Sequence, residues 1–195
     1  MELPIIYPMN AKADEKRLEI AWQSEDYVAE EKFDGSRYLM YLTPNGSRFF
    51  SRRKSDITNM PVEKTGNLPH LNNLSYKDGL IILDGEIVTE LKGTSSNNVT
   101  SIMGSLLDRA IKLQLERGWV KYVVFDVLYV NGLNIMSFPW KKRRSYLEKK
   151  IGELVKSNKY ISIVPVVFKD KEKFYEQIVE NGGEGIILKN INGAY

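Results

Sequence analysis

Short runs of β-branched and aromatic residues, separated by turn residues, dominate the hydrophobic pattern and predict strands. Tyr27-Val28-Ala29 leads into Glu30-Glu31-Lys32-Phe33-Asp34-Gly35-Ser36-Arg37, and Tyr38-Leu39-Met40-Tyr41-Leu42 follows. The apolar flanks predict the two strands of a hairpin, with Asp34-Gly35 as its turn. Thr43-Pro44-Asn45-Gly46 is a second turn, and Ser47 to Arg53 returns as a strand, which extends an antiparallel meander. Residues 54–79 are polar and irregular, with Pro61, Gly66 and Pro69. Leu80 to Val88 is a β-rich run interrupted by Asp84-Gly85-Glu86. The interruption reads either as a bulge or turn between strands or as a local rule broken at a site. Tyr122 to Val130 is the strongest strand in the sequence and ends at Asn131-Gly132. Tyr160 to Phe168 and Glu184 to Lys189 complete the set.

Helical spacing appears in four places. Ala13 to Ser24, after an extended lead-in over residues 1–11, places Leu18, Ala21 and Trp22 on one face. A Gly/Ser/Asn loop over Leu91 to Val99 precedes a helix capped by Thr100 or Ser101 and running to Arg117. Ile102, Leu106, Ala110 and Leu113 share its inner face, and Gly118 stops it. Pro139 opens a third helix with Leu147, Ile151, Leu154 and Val155 inward. Its other face carries Lys141, Lys142, Arg143, Arg144, Lys149 and Lys150, either a solvated face or a surface for phosphate backbone. Lys171 to Glu180 is the fourth helix, stopped by Gly182-Gly183.

Composition narrows the chemistry. A chain of 195 residues with 43% hydrophobic content can bury a sizeable core as one generous domain or two small ones. It contains no cysteine, which excludes disulfides, thiolate metal sites and cysteine nucleophiles and fits an intracellular, cytoplasmic protein. The one histidine, His70, follows Leu68-Pro69 and reads as a surface loop residue, which argues against a histidine metal site or a Ser-His triad. A net charge of +3 permits a polyanionic partner without requiring one. No apolar run approaches the roughly 18 residues of a membrane span. The stretch from Met1 to Met9 lacks the basic and apolar regions of a signal peptide.

Within that frame the charged breaks stand out. Lys32 falls at the end of a half-buried strand beside a tight turn, where partial desolvation would present a neutral, nucleophilic amine. The plain alternative is a solvated hairpin lysine. Asp84, Glu86 and Asp126 are carboxylates inside apolar runs, costly unless paired or bound to something. Glu184 and Lys189 bracket the last strand and need Gly185 or a bulge to converge on one site. A glutamate there suits a divalent cation, and a lysine there suits a phosphate. Neither a Gly-x-x-x-x-Gly-Lys-Ser/Thr loop nor a Gly-x-Gly-x-x-Gly turn is present, so phosphate binding would fall to lysines, arginines and a metal.

The ordered series Glu30 to Arg37, Ser51-Arg52-Arg53, Leu83-Asp84-Gly85-Glu86, Phe125-Asp126-Val127-Leu128 with Asn131-Gly132, and Glu184 to Lys189 resembles the signature motifs of covalent nucleotidyltransferases. It is most similar to the adenylation domain of ATP-dependent DNA ligases, over nearly the whole chain. The resemblance implies an α+β fold of two antiparallel sheets with flanking helices and a nucleotide cleft between them, an ATP-grasp-like ligase adenylation fold. It implies that Lys32 attacks the α-phosphate of ATP to form lysyl-AMP. It places Glu30 at the adenine edge with Glu31 beside it, Arg37 and Arg52 on the nucleotide or the nick phosphate, Glu86 on the ribose and Phe125 stacked on adenine. Glu184 would bind the metal, Mg²⁺, and Lys189 the α-phosphate. The partner would be nicked double-stranded DNA, sealed in repair, replication and recombination, by a protein expected to be a monomer off the membrane.

The family also carries a lysine-rich strand in a Trp-x-Lys-x-Lys setting and a C-terminal OB-fold domain, neither present in these 195 residues. Residues 1–195 are therefore expected to form an adenylation domain that stops before that motif. RNA ligases and mRNA-capping guanylyltransferases share Lys-x-Asp-Gly chemistry, but Arg37 and the series Phe125 to Gly132, followed by a basic helix, favour the DNA ligase branch. Nothing before Lys32 resembles the nicotinamide-gripping domain of NAD-dependent ligases. A non-catalytic nucleotide- or DNA-binding module is the alternative from another class.

Overall fold

The computed structural model describes residues 3–12, 15–90 and 95–195. Among the described residues, ten strands form two sheets. The smaller joins β1 (Tyr27–Glu31), β9 (Val166–Val167) and β10 (Ile186–Asn190) in the order β10-β1-β9. The larger runs β4-β3-β2-β5-β6-β7, from β2 (Ser36–Thr43), β3 (Gly46–Lys54), β4 (Pro61–Glu63), β5 (Ile81–Val88), β6 (Lys121–Val130) and β7 (Leu133–Asn134). A short strand, β8 (Ile161–Ile163), adds to β6 in parallel, the one exception to antiparallel pairing among the described strands.

β2 and β5 are buried on both faces, which is why they read as continuous apolar runs. Tyr38, Met40, Leu42, Leu83 and Ile87 face the main core under the helices. Leu39, Tyr41, Leu80 and Ile82 face a second cluster closed by Ile6. Helices α2 (Ser95–Met103) and α4 (Trp140–Ser157) pack on the larger sheet, with α3 (Leu107–Arg117) against α2. Helices α1 (Glu15–Gln23) and α5 (Lys171–Glu180) pack on the smaller one. The Lys171 ammonium donates to Ala21 O, Ser24 O and Tyr27 O at 2.6–2.9 Å, closing the end of α1 and fixing the start of β1.

The structure corrects the local reading at several points. The predicted hairpin around Lys32 does not form, because β1 and β2 belong to different sheets and residues 32–35 cross between them. The Lys32 N–H donates to Gly185 O at 2.9 Å, so the pairing of β1 with β10 extends through it. At the other end of the crossing, a Cβ on Gly35 would lie 2.1 Å from Ile87 O, so only glycine lets the chain press onto β5. The run from Tyr160 to Phe168 is likewise two strands in two sheets, since Pro165 cannot donate to a ladder. Asp84-Gly85-Glu86 does not split its strand. β5 is continuous, with register shifts against β6 at Ile82/Leu83 and Asp84/Gly85.

Residues 91–94 of the predicted Leu91–Val99 loop, and residues 13–14 of the first predicted helix, lie outside the described residues. From Ser95 onward the supposed loop is helical. The single helix expected to reach Arg117 is two, broken at Gly104-Ser105-Leu106, with Leu106 85% exposed rather than inward. Asn67 and Lys64 explain the break, because both donate to Ser105 O and Asn67 also reaches Ile102 O, capping α2 from another part of the chain. Leu18 is also exposed, leaving Ala21 as the buried residue of α1. The segment 54–79 holds β4, a turn of 3₁₀-helix at Thr65–Asn67 and three core residues, Leu68, Leu71 and Tyr76. His70 is half-buried in a turn rather than a free surface loop residue. It packs against Trp119 and Tyr160, its ring nitrogen Nε2 lies 2.9 Å from Val120 O, and burial pulls its pKa down.

Candidate active site

A cleft of about 2450 Å³ opens between the sheets, lined by β1 and β10 of the smaller and by β2, β3, β5 and β6 of the larger. Small-molecule pockets hold roughly 300–1,000 Å³, so this cleft has room for a nucleotide and part of a polymer. All nine residues singled out in the sequence line it: Glu30, Glu31, Lys32, Arg37, Arg52, Glu86, Phe125, Glu184 and Lys189.

Strand β1 and the approach to β10 supply two charge pairs of opposite sense. Gly185, at φ +136°, turns the chain so that Glu184 meets Lys32 in an ion pair, with both side chains 42% exposed. Lys32 is therefore a paired and accessible amine rather than a desolvated one. Lys189 and Glu30 lie diagonally across the β1–β10 ladder, since Val28 pairs with Lys189 and Glu30 with Ile187. Their charged atoms are 2.7 Å apart. The Lys189 ammonium also donates to Phe125 O at 3.1 Å and sits 4.9 Å from the Phe125 ring centre. Glu30 is buried, and burial raises its pKa against the pull of Lys189. Its second oxygen, Oε1, is buried and has no hydrogen-bond partner among the described residues, an acceptor left unsatisfied beside the cleft. Burial also raises the Glu31 carboxyl.

Across the cleft, Arg37 stands opposite Glu86 in the β2–β5 register but bonds Asp84 instead. Nε and Nη2 donate to the two Asp84 oxygens at 2.9 and 2.6 Å, and Nη1 donates to Met9 O at 2.5 Å. Burial opposes the Arg37 charge, but the bonds to Asp84 and Tyr195 outweigh it and raise its pKa. The guanidinium rests 5.2 Å from the Phe125 ring centre. Glu86, left without that arginine, is pushed up to about 8, chiefly by burial; Arg37, Arg52 and Lys32 pull the other way. Arg52 is exposed and donates to Asn10 Oδ1 at 3.1 Å.

Two carboxylates that interrupt apolar strands thus turn out to be paired. Asp84 has Arg37, and Asp126, directly opposite it in the β5–β6 register, has Arg143 in a fork of two 2.9 Å bonds. Arg143 is consequently buried, not on the solvated face predicted for α4. Tyr195 escaped the sequence reading altogether. Its hydroxyl donates to Asp84 Oδ2 at 2.6 Å and accepts from Arg37 Nη2 at 3.1 Å. No period or spacing marks such a residue; only the tertiary fold brings it to β5.

Among the described residues, no three His, Cys, Asp or Glu side chains cluster as a metal-binding group. A half-exposed single carboxylate such as Glu184 still suits Mg²⁺, which is commonly held by one or two carboxylates together with substrate phosphates.

A family model described as "ATP dependent DNA ligase domain" matches residues 8–195. The chain is 34% identical to DNA ligase 4 of Candida glabrata over 185 residues, covering 87% of this chain and 19% of that protein. It is 32% identical to DNA ligase 1 of Methanosarcina mazei over 175 residues, covering 85% of this chain and 29% of that one. Among solved structures, the bacteriophage T7 ATP-dependent DNA ligase in complex with ATP aligns with a TM-score of 0.64 at 16% identity, over 94% of this chain and 62% of its own. A mycobacterial DNA ligase D complexed with ATP and MES aligns at 0.59 and 22% identity, over 87% of this chain and 50% of its own. The chain therefore spans 19% and 29% of the length of these two curated relatives.

Proposed function

The chain belongs to the family of ATP-dependent DNA ligase domains, and from that premise we propose that it is the adenylation domain of a DNA strand-joining enzyme, acting through Lys32. The observation that carries the proposal is the cleft itself, where a lysine on a fixed inter-sheet crossing meets a carboxylate, an aromatic ring and three further cations.

In this reading the Lys32 amine attacks the α-phosphorus of ATP. The Lys32 ammonium first releases a proton to solvent; the neutral amine then forms the nitrogen–phosphorus bond as the bond to the bridging oxygen breaks, pyrophosphate leaves, and a second amine proton passes to solvent. The backbone bond from Lys32 to Gly185 fixes the root of the nucleophile, and alignment of this kind, with electrostatic stabilisation, is what a protein contributes to in-line displacement. The ion pair with Glu184 opens when phosphates arrive. Glu184 and the phosphate oxygens would hold Mg²⁺, which neutralises charge on the transferring group. Phe125 would stack on the adenine once the base displaces a cation from over its ring, and Glu30 would meet the adenine edge. Glu86 takes a ribose hydroxyl, Lys189 meets the α-phosphate, and Arg37 and Arg52 contact the nucleotide or the nick phosphate. AMP then passes to the 5′-phosphate of nicked duplex DNA, and the 3′-hydroxyl displaces it to seal the strand. An OB-fold domain C-terminal to this one would complete the enzyme around the duplex.

The test uses ATP labelled at the α-phosphate, with Mg²⁺, followed by a chase with nicked duplex. Label should settle on the protein and then move to a DNA end that carries a 5′-phosphate, and stay put when that phosphate is missing. Label that never leaves the protein, even when the OB-fold domain is supplied, would contradict the strand-joining half of the proposal.

A further inference from the structure

We propose that Tyr195 is a positioning residue for Arg37, holding its guanidinium beside Phe125 at the nucleotide end of the cleft; this deepens the adenylation reading and rests on it. Arg37 has two carboxylates within reach. Glu86 is its direct cross-strand partner, and Asp84 lies two residues away on the same face of β5. The guanidinium goes to Asp84. Tyr195 completes a triangle there, donating to Asp84 Oδ2 and accepting from Arg37 Nη2, while a third bond comes from Met9 N at 3.3 Å. The hydroxyl is thereby fully used, as one donor and two acceptors. It raises the share of Arg37 that stays on Asp84, and so leaves Glu86 to face the cleft.

The placement of Tyr195 is built by the chain around it. The N-terminus of α4 grips residues 191–193, with Trp140 N donating to Gly193 O at 2.8 Å and Lys141 N to Ile191 O at 3.0 Å. Lys141 Nζ holds Asn192 Oδ1, Arg143 Nη1 holds Gly193 O at 3.2 Å, and Tyr195 N donates to Met136 O at 2.8 Å. The Tyr195 ring lies 5.8 Å from the Arg143 guanidinium, so one side chain touches both buried arginine–aspartate pairs. One pair holds Arg37 above the Phe125 ring, the other uses Asp126, the next residue along β6, and Arg37 and Asp126 both line the cleft. Tyr195 thus ties together two walls of the same subsite, and removal of its oxygen frees Arg37 to move toward Glu86.

The test is the single-turnover rate of AMP attachment to Lys32 at saturating ATP, with melting curves alongside. It compares wild type, Tyr195→Phe, Arg37→Gln and the double variant. Tyr195→Phe should slow attachment roughly 10-fold when Arg37 is present, the usual worth of a bond to a charged group. In the Arg37→Gln background it should change the rate by less than about 2-fold, because its effect runs through Arg37. Equal slowing in both backgrounds, or none in either, would overturn the proposal while leaving the adenylation reading intact. A wild-type chain that never acquires AMP would defeat both. Should Tyr195→Phe melt far below wild type, Asp84→Asn tests the other side of the triangle, and it too must lose its effect once Arg37 is Gln.

Discussion

Glu86 is the residue whose environment has the plainest consequence in solution. Burial, helped by Asp84, pushes its carboxyl from near 4.5 up to about 8, despite the cations around it. Between those values the folded chain holds a proton that the unfolded chain has released. The resulting stability is fully present below about pH 4.5 and is lost as pH rises through about 8. Wild type should therefore lose stability relative to Glu86→Gln in melts taken from about pH 5 to about pH 9. A flat difference between the two would show that the carboxyl is not buried as described. Cleft-lining positions were legible at this scale where residues break a local rule, as Lys32, Glu86 and Glu184 do. It was not legible where partners are far apart in the chain. Asp84 and Asp126 carry the same mark as Glu86 in the sequence, yet each is absorbed by an arginine, and a carboxylate in a strand does not announce which fate it meets.

Elements repeat the lesson. The long, strongly patterned strands β2, β5 and β6 and the helices α4 and α5 lie where periodicity put them, because burial alone decides their spacing. The misread elements are those that answer to distant partners. β1 leaves its neighbour β2 for β10, and α2 ends where Asn67 and Lys64 cap it. Since Leu106 is solvent-facing at that break, Leu106→Glu should change stability by no more than about 0.5 kcal/mol, readable from thermal melts. A loss typical of a core leucine, about 2–5 kcal/mol, would mean that the continuous helix is right. α4 is anchored by Arg143 on Asp126, both nearly fully buried. Arg143→Met should cost about 3–5 kcal/mol in urea denaturation, because it strands a buried charge. Adding Asp126→Leu should recover much of that loss, and a double variant no better than the single one would contradict the pairing.

For the whole molecule, two sheets joined by short crossings at residues 32–35 and 164–165 place a lysine on one crossing and a cleft between the sheets. That architecture was anticipated through the resemblance of the ordered motifs to ATP-dependent DNA ligases, which implies two antiparallel sheets with a cleft between them. The connectivity was not, because pairing partners far apart in sequence leave no local pattern. The account stands on Lys32, and intact mass tests it most directly. The protein is weighed before and after incubation with ATP and Mg²⁺, beside Lys32→Ala. The account predicts a gain of one AMP in the wild-type chain and none in the variant. An adduct that survives Lys32→Ala, or ATP that binds equally well to both chains without any adduct, would contradict it.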